Sequence, residues 1–169
     1  MNEHLPALLV VVPLLAAPVC LLLRRPAATR VLMVAVAWTC LAIAATLLST
    51  VLRDGPIDYA FGGWATPWGI GYRIDVANAY VNVVVTTIAS LVLPFGGVQR
   101  TVHLPPDRLY LMHAMLMLCL AGLLGMASTG DVFNLFVFLE ITSLSSYALV
   151  ALGRDRGAAK AAFTYLVLG

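Results

Sequence analysis

Charged residues are scarce in this sequence of 169 residues. Asp, Glu, Lys and Arg make up only 11% of it, whereas 62% of the residues are hydrophobic and the mean hydropathy is +0.96. Soluble proteins carry about 25% charged residues, so this composition excludes a soluble globular domain and predicts an integral membrane protein in a lipid bilayer. The net charge of +2 does not indicate nucleic-acid binding, because the basic residues are scattered among loops.

The sequence also lacks the motifs of catalytic and metal centres. Its three cysteines, Cys20, Cys40 and Cys119, lie inside apolar segments without the spacing of a metal site or a disulfide framework. There is no catalytic triad, metal-ligand cluster or nucleotide-binding loop, so we expect no cofactor and no metal. The N-terminus has none of the basic residues that open a secretory signal peptide, and we expect the first apolar segment to be retained.

Long apolar segments are what the sequence does contain. A helix needs about 20 residues to cross the hydrocarbon core of a bilayer. The pattern predicts an all-α membrane protein, a polytopic bundle with one transmembrane domain over residues 1–169, five full spans and a truncated sixth. The truncated run covers about 18 Å, so we expect either a fragment or completion by another segment. The spans are 5–23, 31–52, 76–98, 109–127, 132–152 and, in part, 158–169.

The longest loop, residues 53–75, is rich in Gly, Pro and aromatic residues. Trp and Tyr settle at membrane interfaces, and we expect Trp64 and Trp68 to anchor the loop there. A ligand site lined by these two residues is the alternative. The turn residues between about 62 and 71 favour a short interfacial hairpin.

Basic residues are distributed unevenly between the loops. Of the ten Lys and Arg residues, eight lie in the first, third and fifth loops, and only Arg53 and Arg73 lie in the others. Because cytoplasmic loops carry the excess of Lys and Arg, this distribution predicts an N-terminus outside the cell. Residues 53–75 would then be external, and the expected location is the plasma membrane.

Glu140 is the one acidic residue inside a complete span. It lies about 13–14 Å into its helix, near the middle of the bilayer. A carboxylate at that depth costs about 2.5–3.5 kcal/mol and typically marks an ion or proton pathway. Phe133, Phe136, Ser143 and Tyr147 share its helical face, which predicts contact with protein or a water-filled path. The alternative is a protonated structural acid that only hydrogen-bonds a neighbouring helix.

A polar ribbon follows the third span at intervals of four residues, formed by Asn78, Asn82, Thr86 and Ser90. Such residues either line a hydrated path or join helices through hydrogen bonds of about 0.6–2 kcal/mol. Both interpretations stay open here, and Asn78, Asn82 and Thr86 are candidates for lining a path.

The fourth span offers two further features. His113 lies about one turn inside the membrane and is either a proton relay or a hydrogen-bonded residue near the helix end. Gly122 and Gly125 form a small-residue patch of the kind that lets helices approach closely.

The segment Ser128–Gly153, STGDVFNLFVFLEITSLSSYALVALG, resembles the fifth-helix region of a family of antiporter-like proton-translocating subunits. These subunits occur in respiratory complex I, Mrp-type cation/proton antiporters and membrane hydrogenases. The pattern TGD-x-FNLFVF-x-E is most similar to the D-type component of the Mrp-type antiporters, and residues 62–75 are similar to a GGW–P–GI–D stretch of that family. The resemblance implies the N-terminal portion of a fourteen-helix fold with two inverted five-helix repeats.

The resemblance also implies a function for the longer protein. Glu140 matches the family's proton-translocation carboxylate, whose lysine partner on the seventh helix would lie beyond Gly169; Lys160, near the start of the sixth run, is not that residue. The implied protein is a subunit of a multisubunit Na⁺(K⁺)/H⁺ antiporter that works with other membrane subunits on protons and Na⁺ or K⁺. A complex I (NADH-quinone oxidoreductase) or hydrogenase subunit, which would pump protons without being catalytic, is the alternative. A non-conducting structural or assembly subunit is a further one.

Overall fold

The computed structural model describes residues 4–64, 69–104, 108–153 and 157–168. Over these residues the chain forms six helices and one two-stranded sheet, and five of the helices are long and apolar enough to cross a membrane. The predicted multi-pass bundle with five full spans and a shorter sixth helix is thereby confirmed. The elements are α1 (Leu5–Leu23), α2 (Pro26–Asp54), β1 (Ile57–Ala60), β2 (Gly71–Ile74), α3 (Val76–His103), α4 (Leu109–Ser128), α5 (Val132–Ala151) and α6 (Ala158–Leu168).

Two helices extend well beyond the predicted spans. Helix α2 begins at Pro26 instead of residue 31, because proline is well suited to the first helical position. It continues through Arg53 and Asp54, which the sequence had placed in the loop. Helix α3 runs past residue 98 to His103. Hydropathy locates the apolar part of a helix, whereas the hydrogen-bonded backbone continues past it, so both helices are longer than the apolar spans predicted from the sequence. The ends of α4 and α5 differ from the prediction by a single residue.

Helix α4 forms the centre of the bundle, since it packs against α1, α2, α3 and α5. Helix α2 also packs against α1 and α3, whereas α6 packs against α5. The core is built of small and branched apolar side chains from α1, α2 and α4, which allows the helices to approach closely. Its fully buried members include Leu9, Met33, Ala37, Cys40, Ala44, Met117 and Leu124.

The sheet is a hairpin in the loop between α2 and α3. Strands β1 and β2 are antiparallel, with Ile57 opposite Ile74 and Ala60 opposite Gly71. After β1 the chain makes a short 3-10 turn in which Gly62 has φ +65°, a left-handed conformation that favours glycine. The hairpin was therefore predicted correctly, but its two strands lie on either side of residues 61–70, and only Gly71 falls within the predicted range of 62 to 71. Trp64 is 67% exposed, as expected of an interfacial residue, and Trp68 lies outside the described residues.

The two ends of the bundle differ in charge. One end holds the start of α1, the hairpin and the segment before α5, as shown by a 3.0 Å contact between His4 Nδ1 and the Tyr59 hydroxyl. At the other end, Arg30 donates to the Pro94 carbonyl at 3.0 Å. Because the spans alternate in direction, the described basic residues of the odd loops lie together at this second end, away from Arg53 and Arg73. They are Arg24, Arg25, Arg30, Arg108 and Lys160.

Candidate functional site

The start of α5, the helix of Glu140, is held by a compact set of hydrogen bonds. The Asp131 carboxylate accepts from the backbone N–H groups of Phe133 at 3.2 Å and Asn134 at 3.3 Å, and so caps the helix. The Thr129 hydroxyl accepts from the Asp131 backbone N–H at 3.3 Å and from the Asn134 side chain at 3.2 Å. The Thr-Gly-Asp sequence and the asparagine that follows thus fix where the helix begins.

The hairpin binds the same segment from the side. The Gly130 N–H donates to the Gly71 carbonyl at 3.1 Å, and Tyr72 forms an antiparallel bridge with Thr129. Burial raises the pKa of the Tyr72 hydroxyl to about 12, and its hydrogen bond with Asn134 acts in the opposite direction. Strand β2 is therefore attached to the N-terminal end of α5 through both backbone and side chain.

Below this attachment, α5 lies directly on the glycines of α4. A Cβ atom at Gly125 would overlap the Phe138 ring, and one at Gly122 would overlap the Thr142 hydroxyl and lie 2.9 Å from the Phe138 carbonyl oxygen. The predicted close-packing patch is therefore confirmed, and its partner is α5. The Phe138 ring also reaches toward the Tyr72 ring, with centroids 6.3 Å apart.

These contacts determine which way Glu140 points. Residues two apart on a helix differ by about 200°, so Glu140 lies opposite the face on which Phe138 and Thr142 meet α4. Its side chain is exposed in the described part of the chain and has no hydrogen-bond or ion-pair partner there. Phe136 and Phe133, one and two turns earlier on the same face, are 60% and 73% exposed. Glu140 thus lies on an apolar surface that helices α1 to α4 do not cover.

The other members of the predicted stripe are partly covered. Ser143 and Tyr147 are half-buried, and the Tyr147 ring packs edge-on against Tyr165 of α6 with centroids 4.8 Å apart. Lys160 lies near the start of α6, as the sequence predicts. The polar side of the stripe therefore lies along the edge where α5 meets α6.

His113 is separate from this surface. It is buried between α4 and α2, and its Nδ1 lies 2.8 Å from the Thr29 hydroxyl. The Thr29 hydroxyl also lies 3.2 Å from the Arg25 and Pro26 carbonyl oxygens, so it joins the first turn of α2 to the second turn of α4. His113 therefore takes part in a hydrogen bond between α2 and α4, and its role as a proton relay stays a prediction.

The polar ribbon of α3 divides into residues with different partners. Asn78 lies in the first turn of the helix, where its backbone N–H donates to the capping carboxylate of Asp75 at 2.8 Å and its side-chain amide donates to the Arg73 carbonyl at 2.7 Å. Asn82 is buried and donates to the Ser128 hydroxyl of α4 at 3.1 Å. The buried hydroxyl of Thr86 donates within its own helix, to the Asn82 carbonyl at 2.7 Å. These residues contact α3 and α4, whereas Glu140 points away from α4, so the structure does not bring the ribbon and the carboxylate together.

Sequence reasoning did not identify Thr29, Tyr72, Ser128 and Asn134. Their partners lie far away along the chain, on other helices or on the hairpin, and no periodic pattern records such pairs. Asn134 follows the TGD sequence by three residues, which is the one local signal from which a role at the helix start could have been inferred. Within the described residues, no group of three His, Cys, Asp or Glu side chains has the arrangement to hold a metal ion.

Comparison with known proteins identifies relatives over the full length of the chain. The sequence is 40% identical over 172 residues to NADH-quinone oxidoreductase subunit N of Desulforudis audaxviator, covering 100% of this chain and 34% of that protein. It is 33% identical to the putative antiporter subunit mnhD2 of Staphylococcus haemolyticus, covering 99% of this chain and 33% of that protein. The chain therefore spans about one third of the length of the curated relatives it matches. No protein-family model matches the sequence.

Solved structures show the same similarity in three dimensions. A chain of the membrane-bound sulfane sulfur reductase, an archaeal respiratory membrane complex, superposes with a TM-score of 0.84 at 33% identity, covering 98% of this chain and 34% of that one. A chain of the Mrp complex from Dietzia sp. DQ12-45-1b superposes with a TM-score of 0.82 at 26% identity, covering 98% and 31%. In sequence and fold, the chain belongs to the family of antiporter-like membrane subunits and corresponds to their N-terminal part.

Proposed function

We propose that the chain is the N-terminal part of a proton-translocating subunit of a multisubunit Na⁺(K⁺)/H⁺ antiporter, and that Glu140 binds and releases the transported proton. One observation carries the proposal. Glu140 is the one acidic residue in the interior of the described spanning helices, since Asp54 is the last residue of α2, and it lies on the face of α5 that the preceding helices leave uncovered. A carboxyl group in the middle of a membrane is costly unless it meets a partner or water, and such groups usually mark ion or proton pathways.

The chemistry needs a partner for the carboxyl group. Burial in apolar surroundings favours the protonated form of a carboxyl group, and an approaching cation favours the ionised form. A lysine that moves toward and away from such a group therefore makes it release and take up a proton. From the family resemblance, we expect this lysine on a later helix, beyond Gly169. The uncovered face around Glu140 is the surface on which that helix would lie.

The arrangement in the membrane follows from the charges at the two ends. We place the end that holds Arg24, Arg25, Arg30 and Arg108 in the cytoplasm, and the hairpin and N-terminus outside the plasma membrane. Labelling of an introduced cysteine, Asn2→Cys, with a membrane-impermeant reagent in intact cells is the expected result. If this cysteine is labelled only after the cells are permeabilised, the N-terminus lies in the cytoplasm and the proposed topology is wrong.

A second function has support from the comparisons. The relative with 40% identity is a subunit of NADH-quinone oxidoreductase, so the same helices would serve a redox-driven assembly, with the catalytic chemistry in other subunits. Purification of the native complex distinguishes the two. Small antiporter subunits in the complex support the first function, and iron–sulfur subunits support the second. A non-conducting structural role is different from both, because Glu140 would then stay protonated and would not take up and release a transported proton.

The test of Glu140 is proton transport by the full assembly in membrane vesicles. Glu140→Gln keeps the size and hydrogen-bonding capacity of the side chain but cannot ionise, so we expect transport to be lost at unchanged expression. Glu140→Asp keeps an ionisable group withdrawn by one methylene and should retain partial activity. Transport by Glu140→Gln at close to the wild-type rate would show that the residue only packs.

A further inference from the structure

The geometry points to a buried water-binding site between α3 and α4, formed by Asn82 and Ser128. This site is separate from the face of α5 that carries Glu140, and it does not depend on the function proposed for that residue. Asn82 is 1% exposed and Ser128 is 0% exposed. The Asn82 amide nitrogen donates to the Ser128 hydroxyl oxygen at 3.1 Å. Two polar side chains from different helices thus meet in a region closed to the outside.

The hydrogen bond between Asn82 and Ser128 leaves other donor and acceptor atoms of these two side chains without a described partner. An asparagine side chain has two N–H donors and one carbonyl oxygen acceptor, and a serine hydroxyl both accepts and donates. The Asn82 Oδ1 atom is fully buried and has no hydrogen-bond partner among the described residues. Since Ser128 accepts from Asn82, its own hydroxyl hydrogen also points to a further acceptor. The pair therefore leaves one acceptor, the Asn82 oxygen, beside two donors, the second Asn82 N–H and the Ser128 hydroxyl.

Turning the amide over does not remove the mismatch. With its oxygen and nitrogen exchanged, Asn82 would accept from the Ser128 hydroxyl, but both amide N–H donors would then be buried without a described acceptor. In either orientation a third group is needed. Buried polar groups in proteins almost always find such a partner, either in the protein or in an ordered water molecule.

Water is the ligand that fits both requirements. A single water molecule can donate to the Asn82 oxygen and accept from the Ser128 hydroxyl, whereas a metal ion accepts no hydrogen bond and would leave the Ser128 hydroxyl hydrogen without an acceptor. Buried waters typically make about three hydrogen bonds to polar groups of this kind. Within the described part of the chain, no group of three His, Cys, Asp or Glu side chains could hold a metal ion, so the chemistry favours a neutral ligand.

The neighbouring hydroxyl groups of α3 limit the extent of the site. The Thr86 hydroxyl lies 2.7 Å from the Asn82 carbonyl and 3.1 Å from the Val83 carbonyl, and the Ser90 hydroxyl donates to the Thr87 carbonyl at 2.9 Å. These hydroxyl groups already use their hydrogens within α3. The unused donors and acceptor are therefore concentrated at Asn82 and Ser128, which is where we locate the site.

The test is a density map of the full-length protein in its native assembly, at a resolution that shows ordered waters in the membrane region. We expect an isolated peak within about 2.6–3.2 Å of both the Asn82 oxygen and the Ser128 hydroxyl. Ser128→Ala should remove or displace this peak. Thr86→Val is the matched control, since the hydroxyl it removes bonds only within α3, and the peak should remain.

Two results would overturn the inference. One is a protein group of the full-length chain in hydrogen-bonding contact with the Asn82 oxygen in place of water. The other is an empty position beside the pair in a map that shows waters elsewhere in the membrane region. If Ser128→Ala fails to assemble, magnetisation transfer from water to the Asn82 side-chain amide in the wild-type protein decides the question. If magnetisation passes from water to the Asn82 side-chain amide no faster than to buried amides that have no water nearby, the proposed site is contradicted.

Discussion

Helices α4 and α5 are similar in length and apolarity, but they are buried to very different extents. In the apolar stretch of α4, half of the residues are buried by the rest of the chain, whereas in that of α5 only 17% are buried. Helix α4 is surrounded by α1, α2, α3 and α5, whereas α5 packs mainly on α4 and α6. The difference shows that apolar composition alone does not tell whether a membrane helix lies in the centre of a bundle or at its edge.

The two faces of α5 make the same comparison within one helix. The inner face contacts the glycines of α4, and the outer face carries the exposed side chains of Glu140, Phe133 and Phe136. The inner contacts, the Asp131 cap and the hairpin together set the depth and rotation of the helix. We therefore expect changes on the inner face to affect the stability of the protein, and changes at Glu140 to affect transport.

The largest expected effect on stability is at the glycine contact. Gly125→Ala places a methyl group in the volume of the Phe138 ring, and overpacking of this kind costs about 1–3 kcal/mol. Thermal unfolding of the full-length protein in detergent should show a lower Tm. Gly157→Ala is the control, because its Cβ would meet nothing within 4 Å. An equal Tm for Gly125→Ala and the control would mean that α5 is not held against α4 in this way.

The next effect is at the helix cap. Asp131→Ala removes the acceptor of two backbone N–H groups at the start of α5 and should lower the free energy of unfolding by about 0.5–2 kcal/mol. Asp131→Asn keeps a side-chain oxygen at the cap and should lose much less. Unfolding of the three proteins in denaturant measures the difference. Equal losses for Ala and Asn would show that the negative charge matters and the cap does not.

The smallest effect is at the hairpin attachment. Tyr72→Phe removes the hydrogen bond with Asn134 and should lower stability by about 0.5–1.5 kcal/mol at neutral pH. Unfolding in denaturant, compared with the wild type, measures this loss. An unchanged free energy of unfolding would show that the hydroxyl does not help to attach the hairpin to α5.

The same substitution predicts a change in pH dependence. Because the folded protein raises the pKa of Tyr72 from 10.0 to about 12, the folded state holds this proton more tightly than the unfolded state. The contribution to stability is complete below pH 10 and is lost as the pH rises from about 10 to about 12. Over that range the wild type should lose more stability than Tyr72→Phe. Parallel stability curves for the two proteins would contradict the burial of this hydroxyl.

The sequence was sufficient to predict the number of spans, the small-residue patch and the face of α5 that carries Glu140. Each of these depends on one helix at a time, through length, composition or the spacing of residues on a face. The limits of α2 and α3 were not predictable from hydropathy, because their ends leave the apolar region while remaining helical. The sequence also does not show whether the Glu140 face is covered, since this depends on which helices pack beside α5.

Contacts between elements were the least predictable features. The bond of Asn82 to Ser128 joins residues 46 positions apart, and that of Thr29 to His113 joins residues 84 positions apart. A polar residue within a span indicates that it needs a partner, but the partner is chosen by the packing of whole helices. The same physics explains why Asn78, Asn82 and Thr86, which share one pattern in the sequence, have three different roles in the structure.

The most direct test of the division between the two faces of α5 measures transport and thermal stability on the same preparation of Glu140→Gln. The full-length assembly in proteoliposomes, compared with wild type and with Gly125→Ala, provides the three proteins that are needed. We expect Glu140→Gln to unfold at the wild-type Tm and to move no protons above the leak of empty vesicles, whereas Gly125→Ala should unfold at a lower temperature. A Glu140→Gln protein that transports normally would contradict the proposed role of the carboxylate.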